Sequence, residues 1–229
     1  MALFGRRDAL QRSYDDVAAE YTRRIADELQ HKPADRALLN RFAASLSGSG
    51  PCLDVGCGPG HVTRYLADRG VDIRGVDLSK GMVREARRLH PDLQFEREDM
   101  RSLKAKDHSL AAVVAFYSLI HVPEPELEAV LLEFRRVLEP GGALLVAFHS
   151  GGYSEHLSEW WDQPVDLDFY HHRVVSVLVH LQHTGFQEVS VYRRDPYPEV
   201  EAPTRRAYIL AESLPGTPPI RRGSALKLS

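Results

Sequence analysis

The sequence has little of several things, and each scarcity excludes a class. Among 229 residues there are only two cysteines, Cys52 and Cys57, in one short segment. No long loop lies between them for a disulfide to close, so both thiols read as small core residues in a reducing, cytoplasmic setting. Long apolar runs are missing too. The longest, Leu110–Tyr117, falls far short of the roughly 20 residues that span a bilayer, and no membrane association is expected. Gly5-Arg6-Arg7 interrupts the N-terminus before a signal-peptide core could form. Neither sign of charge dominates: 29 Lys+Arg stand against 32 Asp+Glu, a formal net charge of −3, which argues against wholesale nucleic-acid binding. Metal-ligand spacing is absent as well. His156, His171 and His172 lie among Asp162, Asp166 and Asp168, but no H-x-x-x-H or C-x-x-C pattern exists, so no metal is expected.

What is present is an ordinary globular composition, 43% hydrophobic and 27% charged. A chain of this size can bury roughly 70–75% of its unfolded surface without a staple. One domain is expected over 1–214, with 215–229 (Pro-Gly-Thr-Pro-Pro and beyond) as a loose tail. Leu10, Tyr14, Val17, Ala18, Tyr21, Ile25 and Leu29 recur at helical spacing, and a second helix over Ala34–Leu46 stops at Ser47-Gly48-Ser49-Gly50; together 8–46 read as a helical cover. From Cys52 to Phe148 short apolar strands alternate with amphipathic helices, the pattern of a parallel sheet wrapped by helices. Ser150–Asp168 reads as irregular, followed by a helix at Val174–Gln182 and strands at Gln187–Tyr192 and Arg206–Ala211.

The strongest local signal is Leu53-Asp54-Val55-Gly56-Cys57-Gly58-Pro59-Gly60-His61, between a strand and a helix. Glycines there permit a tight turn and let a ligand approach the backbone, and a helix N-terminus offers free N–H groups. A dinucleotide fingerprint would need glycine where His61 stands, and a Walker loop would need a following Gly-Lys-Ser/Thr. Asp54, two residues before the first glycine, would repel a pyrophosphate but can accept from an amine. The ligand expected is a nucleoside carrying an amino acid. Asp77 ends the next strand, where an acid can hold a ribose diol or cap the following helix. Asp99-Met100 follows the third strand, placed to meet an adenine amine and ring.

In this order and spacing, Leu53–Gly60, Gly75–Asp77, Glu98–Met100 and Arg136–Gly142 resemble the motifs of class I S-adenosylmethionine-dependent methyltransferases, in the small-molecule and quinone-pathway branch. Tyr14-Asp15-x-x-Ala18-x-x-Tyr21 is similar to that family's N-terminal helix signature. The resemblance implies a Rossmann-like α/β fold: a seven-stranded, mostly parallel sheet with helices on both faces and the last strand antiparallel. It implies S-adenosylmethionine as cofactor and S-adenosylhomocysteine as product. It also implies a cofactor site of Tyr14, Tyr21, Asp54, Gly56, Cys57, Gly58, Gly60, Asp77, Leu78, Asp99, Met100 and Phe116.

Methyl transfer from a sulfonium is an in-line displacement, so orientation and exclusion of water carry most of the work. A base is needed only if the nucleophile starts protonated. Tyr117 could line the methyl site and His121 could be that base, or a packed histidine at the strand-to-helix turn. His149 lies on the same rim, and Tyr14 and Tyr21 either reach the cofactor or pack their helix. The long segment 150–172 is expected to cover the substrate, with Tyr153, Trp160 and Trp161 as apolar walls. Arg193-Arg194 and Arg205-Arg206 could form a stripe for RNA or be solvated strand ends. The leading expectation is methylation of O, N or C of a small organic acceptor. An RNA or protein methyltransferase, and a cofactor-binding protein without turnover, are the alternatives. Oligomeric state is not legible.

Overall fold

The computed structural model describes residues 3–216, so nearly all of the expected tail lies outside the described residues. Two helices come first, α1 (Leu3–Ile25) and α2 (Pro33–Ser45), the latter opening on a proline that needs no N–H partner there. Then follow β1 (Cys52–Val55), α3 (His61–Ala67), β2 (Ile73–Asp77), α4 (Lys80–Leu89), β3 (Phe95–Arg97), β4 (Leu110–Phe116), α5 (Leu127–Val137) and β5 (Leu138–Ser150). The last third holds β6 (Tyr153–Trp160), β7 (Gln163–His171), α6 (Val174–His183), β8 (Phe186–Arg194) and β9 (Arg205–Ser213).

Seven strands form one sheet in the order β3-β2-β1-β4-β5-β9-β8. The first five run parallel, and β9 is antiparallel to both its neighbours, as expected for this fold. Every residue of β4 is buried. Its alternation explains why: Val113 and Ala115 join the core under α5 and α6, while Ala112, Val114 and Phe116 join the core under α2 and α3. Helices therefore cover both faces, and the strands' carboxyl ends are left to form a site.

One expectation is corrected. Ser150–Asp168 is not irregular; β6 and β7 form an antiparallel hairpin outside the main sheet. Trp160 pairs with Gln163, so the turn is the two residues Trp161 and Asp162, with φ of 52° and 60°. Positive φ at both central residues is the turn that suits the strands' twist, and its usual sequence is Asn-Gly or Asp-Gly. Tryptophan at the first position hides it.

The hairpin and α1 close over the sheet's carboxyl edge together. Val17 clusters with Val165 and Leu167, and Ser13 Oγ accepts from the Asp166 amide at 2.8 Å. On its other flank α1 crosses α4 closely because of Gly81, whose missing Cβ would stand 2.8 Å from Ala18 Cβ and 2.9 Å from the Asp15 carbonyl. Asp15 Oδ1 accepts from the Gly81 amide at 2.8 Å and from Ser79 Oγ at 2.6 Å. The Tyr-Asp-x-x-Ala-x-x-Tyr pattern thus has a physical basis. Asp15 and Ala18 dock the helix, which leaves Tyr14 and Tyr21 facing the site.

Candidate active site

A cavity of about 910 Å³, counting its mouth, opens where β1, β2 and β4 end, the place at which open α/β sheets bind ligands. The glycine loop forms its floor. Gly58 has φ of +53°, and a Cβ there would enter open space with only Tyr21 Cε1 within 4 Å, at 3.8 Å. Gly56 and Gly60 serve packing instead: added Cβ atoms would meet Ser118 Cβ at 2.3 Å and the Phe95 ring at 2.7 Å. Gly60 consequently does not line the cavity, whereas Gly56, Cys57 and Gly58 do.

Two acids face this space, Asp54 buried and Asp77 half-buried. Asp54 Oδ2 accepts from Thr63 Oγ1 at 2.7 Å, and burial pushes its carboxyl up to about 6. Asp77 accepts from the Gly58 amide at 2.9 Å and the Ser79 amide at 2.8 Å, yet burial still raises it to about 6. Asp77 does not cap α4 itself; Ser79 does, accepting from the Met82 amide at 3.0 Å. Leu78, Met100 and Phe116 supply apolar lining. Asp99 also lines the cavity, held by Arg7 at 2.8 Å and by the Arg101 amide at 2.9 Å.

His61 was missed as a site residue, because in the sequence it served only to exclude a dinucleotide. It lines the cavity, donates through Nε2 to Glu28 Oε1 at 3.1 Å, and keeps Nδ1 buried without a protein partner. Burial alone would raise the Glu28 carboxyl, but His61 and Lys32 hold it down at about 2. Two carboxylates lining one cavity fit a ligand that brings hydrogen-bond donors, such as an ammonium and hydroxyls.

A second cavity, about 1790 Å³ with its mouth, lies beyond the first and shares Tyr14, Tyr21 and Tyr117 with it. Trp160 and Trp161 stack at 4.3 Å, and Trp160 meets Tyr14 at 6.0 Å and Tyr21 at 5.7 Å, both edge-on. Phe169 lies 4.8 Å from the His121 ring. Tyr153 joins neither cavity. It is 51% exposed and stacks on His171 at 4.2 Å. Tyr117, with φ of +59°, borders both cavities by its ring, while its hydroxyl donates to Tyr208 at 2.7 Å, which in turn donates to Asp35 at 2.8 Å.

At the boundary, Tyr14 Oη and His121 Nε2 are 2.6 Å apart, and His121 Nδ1 lies 2.9 Å from the Asp168 carbonyl on β7. A carbonyl only accepts, so Nδ1 carries the proton and Nε2 accepts from the Tyr14 hydroxyl. Burial lowers His121 to about 4, keeping it neutral with its lone pair engaged by Tyr14. His149, lowered to about 3 by burial and then by Arg206, has Nδ1 2.5 Å from Thr204 Oγ1. The four arginines considered as an RNA stripe split by strand alternation. Arg194 pairs inward with Asp35 and Glu201, both at 2.6 Å, and Arg206 is buried beside Glu201; Arg193 and Arg205 remain exposed. Among the described residues no group of three or more His, Cys, Asp or Glu gathers as a metal set, and no helix is long and apolar enough to cross a membrane.

Residues 52–142 match the family model of a methyltransferase domain. Over that span the chain carries a methyltransferase domain. The demethylmenaquinone methyltransferase of Renibacterium salmoninarum is 33% identical to this chain over 145 residues, 62% of this chain and 59% of that protein. The chain spans little more than half the length of the demethylmenaquinone methyltransferases it matches. Among solved structures, its fold is similar to DhpI in complex with SAH (TM-score 0.72, 21% identity, 93% of this chain and 100% of that one). It is also similar to magnesium protoporphyrin IX methyltransferase from Synechocystis PCC 6803 with bound SAM (TM-score 0.68, 18% identity, 91% and 97%).

Proposed function

We propose that this protein transfers the methyl group of S-adenosylmethionine to O, N or C of a small organic acceptor held in the second cavity. The observation that carries the reading is the shared wall: two adjoining cavities meet at Tyr14, Tyr21 and Tyr117. A cytoplasmic setting belongs to the same reading, supported by two free, buried cysteines. The relatives named above include proteins acting on a demethylmenaquinone and a magnesium porphyrin, both small molecules.

The cofactor supplies a methyl already activated on a positive sulfur, so the chain has to orient and to exclude water. Asp54 would accept from the ammonium and Asp77 from the ribose hydroxyls. Asp99 would receive the adenine amine only by sharing it with Arg7 and Arg101. The aromatic rings of Tyr14, Tyr21 and Tyr117 present electron-rich faces to a passing cation. Where the acceptor starts protonated, its proton can move to Tyr14 Oη while the Tyr14 proton moves to His121 Nε2. His121 would then act through Tyr14, oriented by the Asp168 carbonyl. Formation of S-adenosylhomocysteine with a panel of acceptors tests the reading. Tight cofactor binding with no product from any acceptor would favour a binding protein without turnover.

A further inference from the structure

The methyl-transfer reading, on which the following rests, uses the ring of Tyr117 and leaves open how that ring is held. Tyr117 follows β4 directly and has φ of +59°, a left-handed conformation that a bulky residue keeps only where its surroundings fix it. Its amide donates to the Ala147 carbonyl at 2.8 Å, which continues the sheet but does not orient the side chain. The ring lines both cavities.

The Tyr117 hydroxyl is tied to groups that line neither cavity. Tyr208 on β9, 1% exposed, lies 2.7 Å from it, and Asp35 on α2, wholly buried, accepts from Tyr208 at 2.8 Å. Arg194, at the end of β8, donates through Nε to the Tyr208 oxygen at 2.9 Å and through a terminal nitrogen to Asp35 Oδ2 at 2.6 Å. Glu201 holds Arg194 in turn, at 2.6 and 2.8 Å. The Tyr208 proton is spent on the Asp35 carboxylate, so Tyr117 is the donor in the 2.7 Å contact. The hydrogen bonds therefore run one way, from Tyr117 to Tyr208 to Asp35. Asp35, Arg194 and Glu201 would join α2 to the end of β8 without any link to Tyr117. The link fixes a ring that stands between the two cavities.

A methyl group passing from the first cavity to the second has to cross the wall they share. An electron-rich ring in that wall favours a positive sulfonium over a neutral thioether. Lys32 and Arg206, 5.7 Å and 5.8 Å from the Tyr117 centroid, line the second cavity and not the first. We propose that Asp35 and Tyr208 are positioning residues, which through the Tyr117 hydroxyl hold its ring toward the sulfonium of S-adenosylmethionine. Tyr117 then acts by its ring, and its hydroxyl is neither acid nor base in the reaction.

The test is calorimetric titration with S-adenosylmethionine and with S-adenosylhomocysteine, read as the ratio of the two affinities. Both ligands carry the same adenine, ribose and amino-acid groups, so a general loosening of the fold weakens both and leaves the ratio alone. Tyr208→Phe removes the link while leaving the Arg194–Asp35 pair in place, and Tyr117→Phe keeps the ring but removes its tether. Each should lower the preference for S-adenosylmethionine by about threefold or more. The double variant should lose no more than either single one, since both cut the same chain. Asp35→Asn should move the ratio the same way, because one amide oxygen cannot serve both Tyr208 and Arg194. Tyr192→Phe, the same deletion on an exposed β8 residue whose ring lies 5.8 Å from that of Tyr208, should keep the parent's ratio. Should the variants at the buried positions fail to fold, Tyr117→Phe, at a half-buried one, still decides. An unchanged ratio in folded Tyr117→Phe or Tyr208→Phe would overturn the proposal, as would losses that add in the double variant. A parental ratio in Asp35→Asn would overturn the part assigned to Asp35. Failure of both ligands to bind the parent protein would instead count against the methyl-transfer reading.

Discussion

The two cavities share three tyrosines, yet they are built by opposite means. The first takes its polar groups from backbone amides and from acids at consecutive strand ends, Asp54 and Asp77, with Gly58 opening the floor. The second is assembled from side chains of distant segments: Lys32 before α2, His149 on β5, Trp160 and Phe169 on the hairpin, and Arg206 on β9. Backbone geometry and strand order fix the first cavity, whereas the second can be re-cut by exchanging side chains. Conserving a cofactor while changing acceptors requires that division.

The sharpest way to break the comparison is to damage one cavity and read the other. Gly58→Val places a branched side chain at φ of +53° in the open floor. It should weaken cofactor binding by more than about a hundredfold, since both space and backbone oppose it. Calorimetry should find acceptor binding in the second cavity largely intact, and equal losses on both sides would show one site instead of two.

The boundary comes next. His121→Ala should reduce turnover by about 10²-fold with cofactor affinity unchanged if the acceptor loses a proton during transfer. Tyr14→Phe should reproduce most of that loss, because His121 reaches the acceptor through the Tyr14 hydroxyl. Rates above a third of the parent's in both variants would return the pair to packing. Asp77→Ala should cost about 1.5–3 kcal/mol of cofactor binding, or one to two decades, through the lost charged acceptor and a loosened Gly58 amide. Unchanged affinity in a folded variant would leave Asp77 a support of the loop.

A pH series separates the cavities without mutation. Asp54 and Asp77 are raised from 3.8 to about 6 by burial, so each carboxyl is protonated below that pH in the free protein. Their contribution to the free protein's stability is fully present below about 4 and is lost as pH rises through about 6. Cofactor binding needs the charged forms. Hence the thermal shift produced by S-adenosylhomocysteine should grow from pH 5 to pH 7, and a flat profile would contradict these assignments. The smallest effect is expected at the hairpin. Trp160→Ala removes edge-on contacts of roughly 0.5–1.5 kcal/mol each, enough to raise the acceptor KM severalfold while cofactor affinity holds.

The same division explains what could be read from the sequence. The succession of strands and helices and the glycine loop were legible because apolar alternation and strand-end acids are local signals, whereas the antiparallel β9 was expected only from the family resemblance. Gly60 was grouped with the lining glycines, and only its approach to Phe95 shows that it packs. His61 and Arg206 carry no local mark, since their partners Glu28 and Glu201 come from other segments. Tyr153, expected beside the substrate, points out of the hairpin, whose register depends on a Trp-Asp turn that resembles no common turn sequence. Side chains that meet across the chain leave no periodicity to find.

The most direct measurement of the central claim is a single-turnover assay with methyl-labelled S-adenosylmethionine and a panel of small organic acceptors, following label and S-adenosylhomocysteine together. The account predicts one equivalent of S-adenosylhomocysteine for each labelled acceptor molecule, with none formed when acceptor is omitted. Saturated cofactor binding with no labelled product from any acceptor would contradict it.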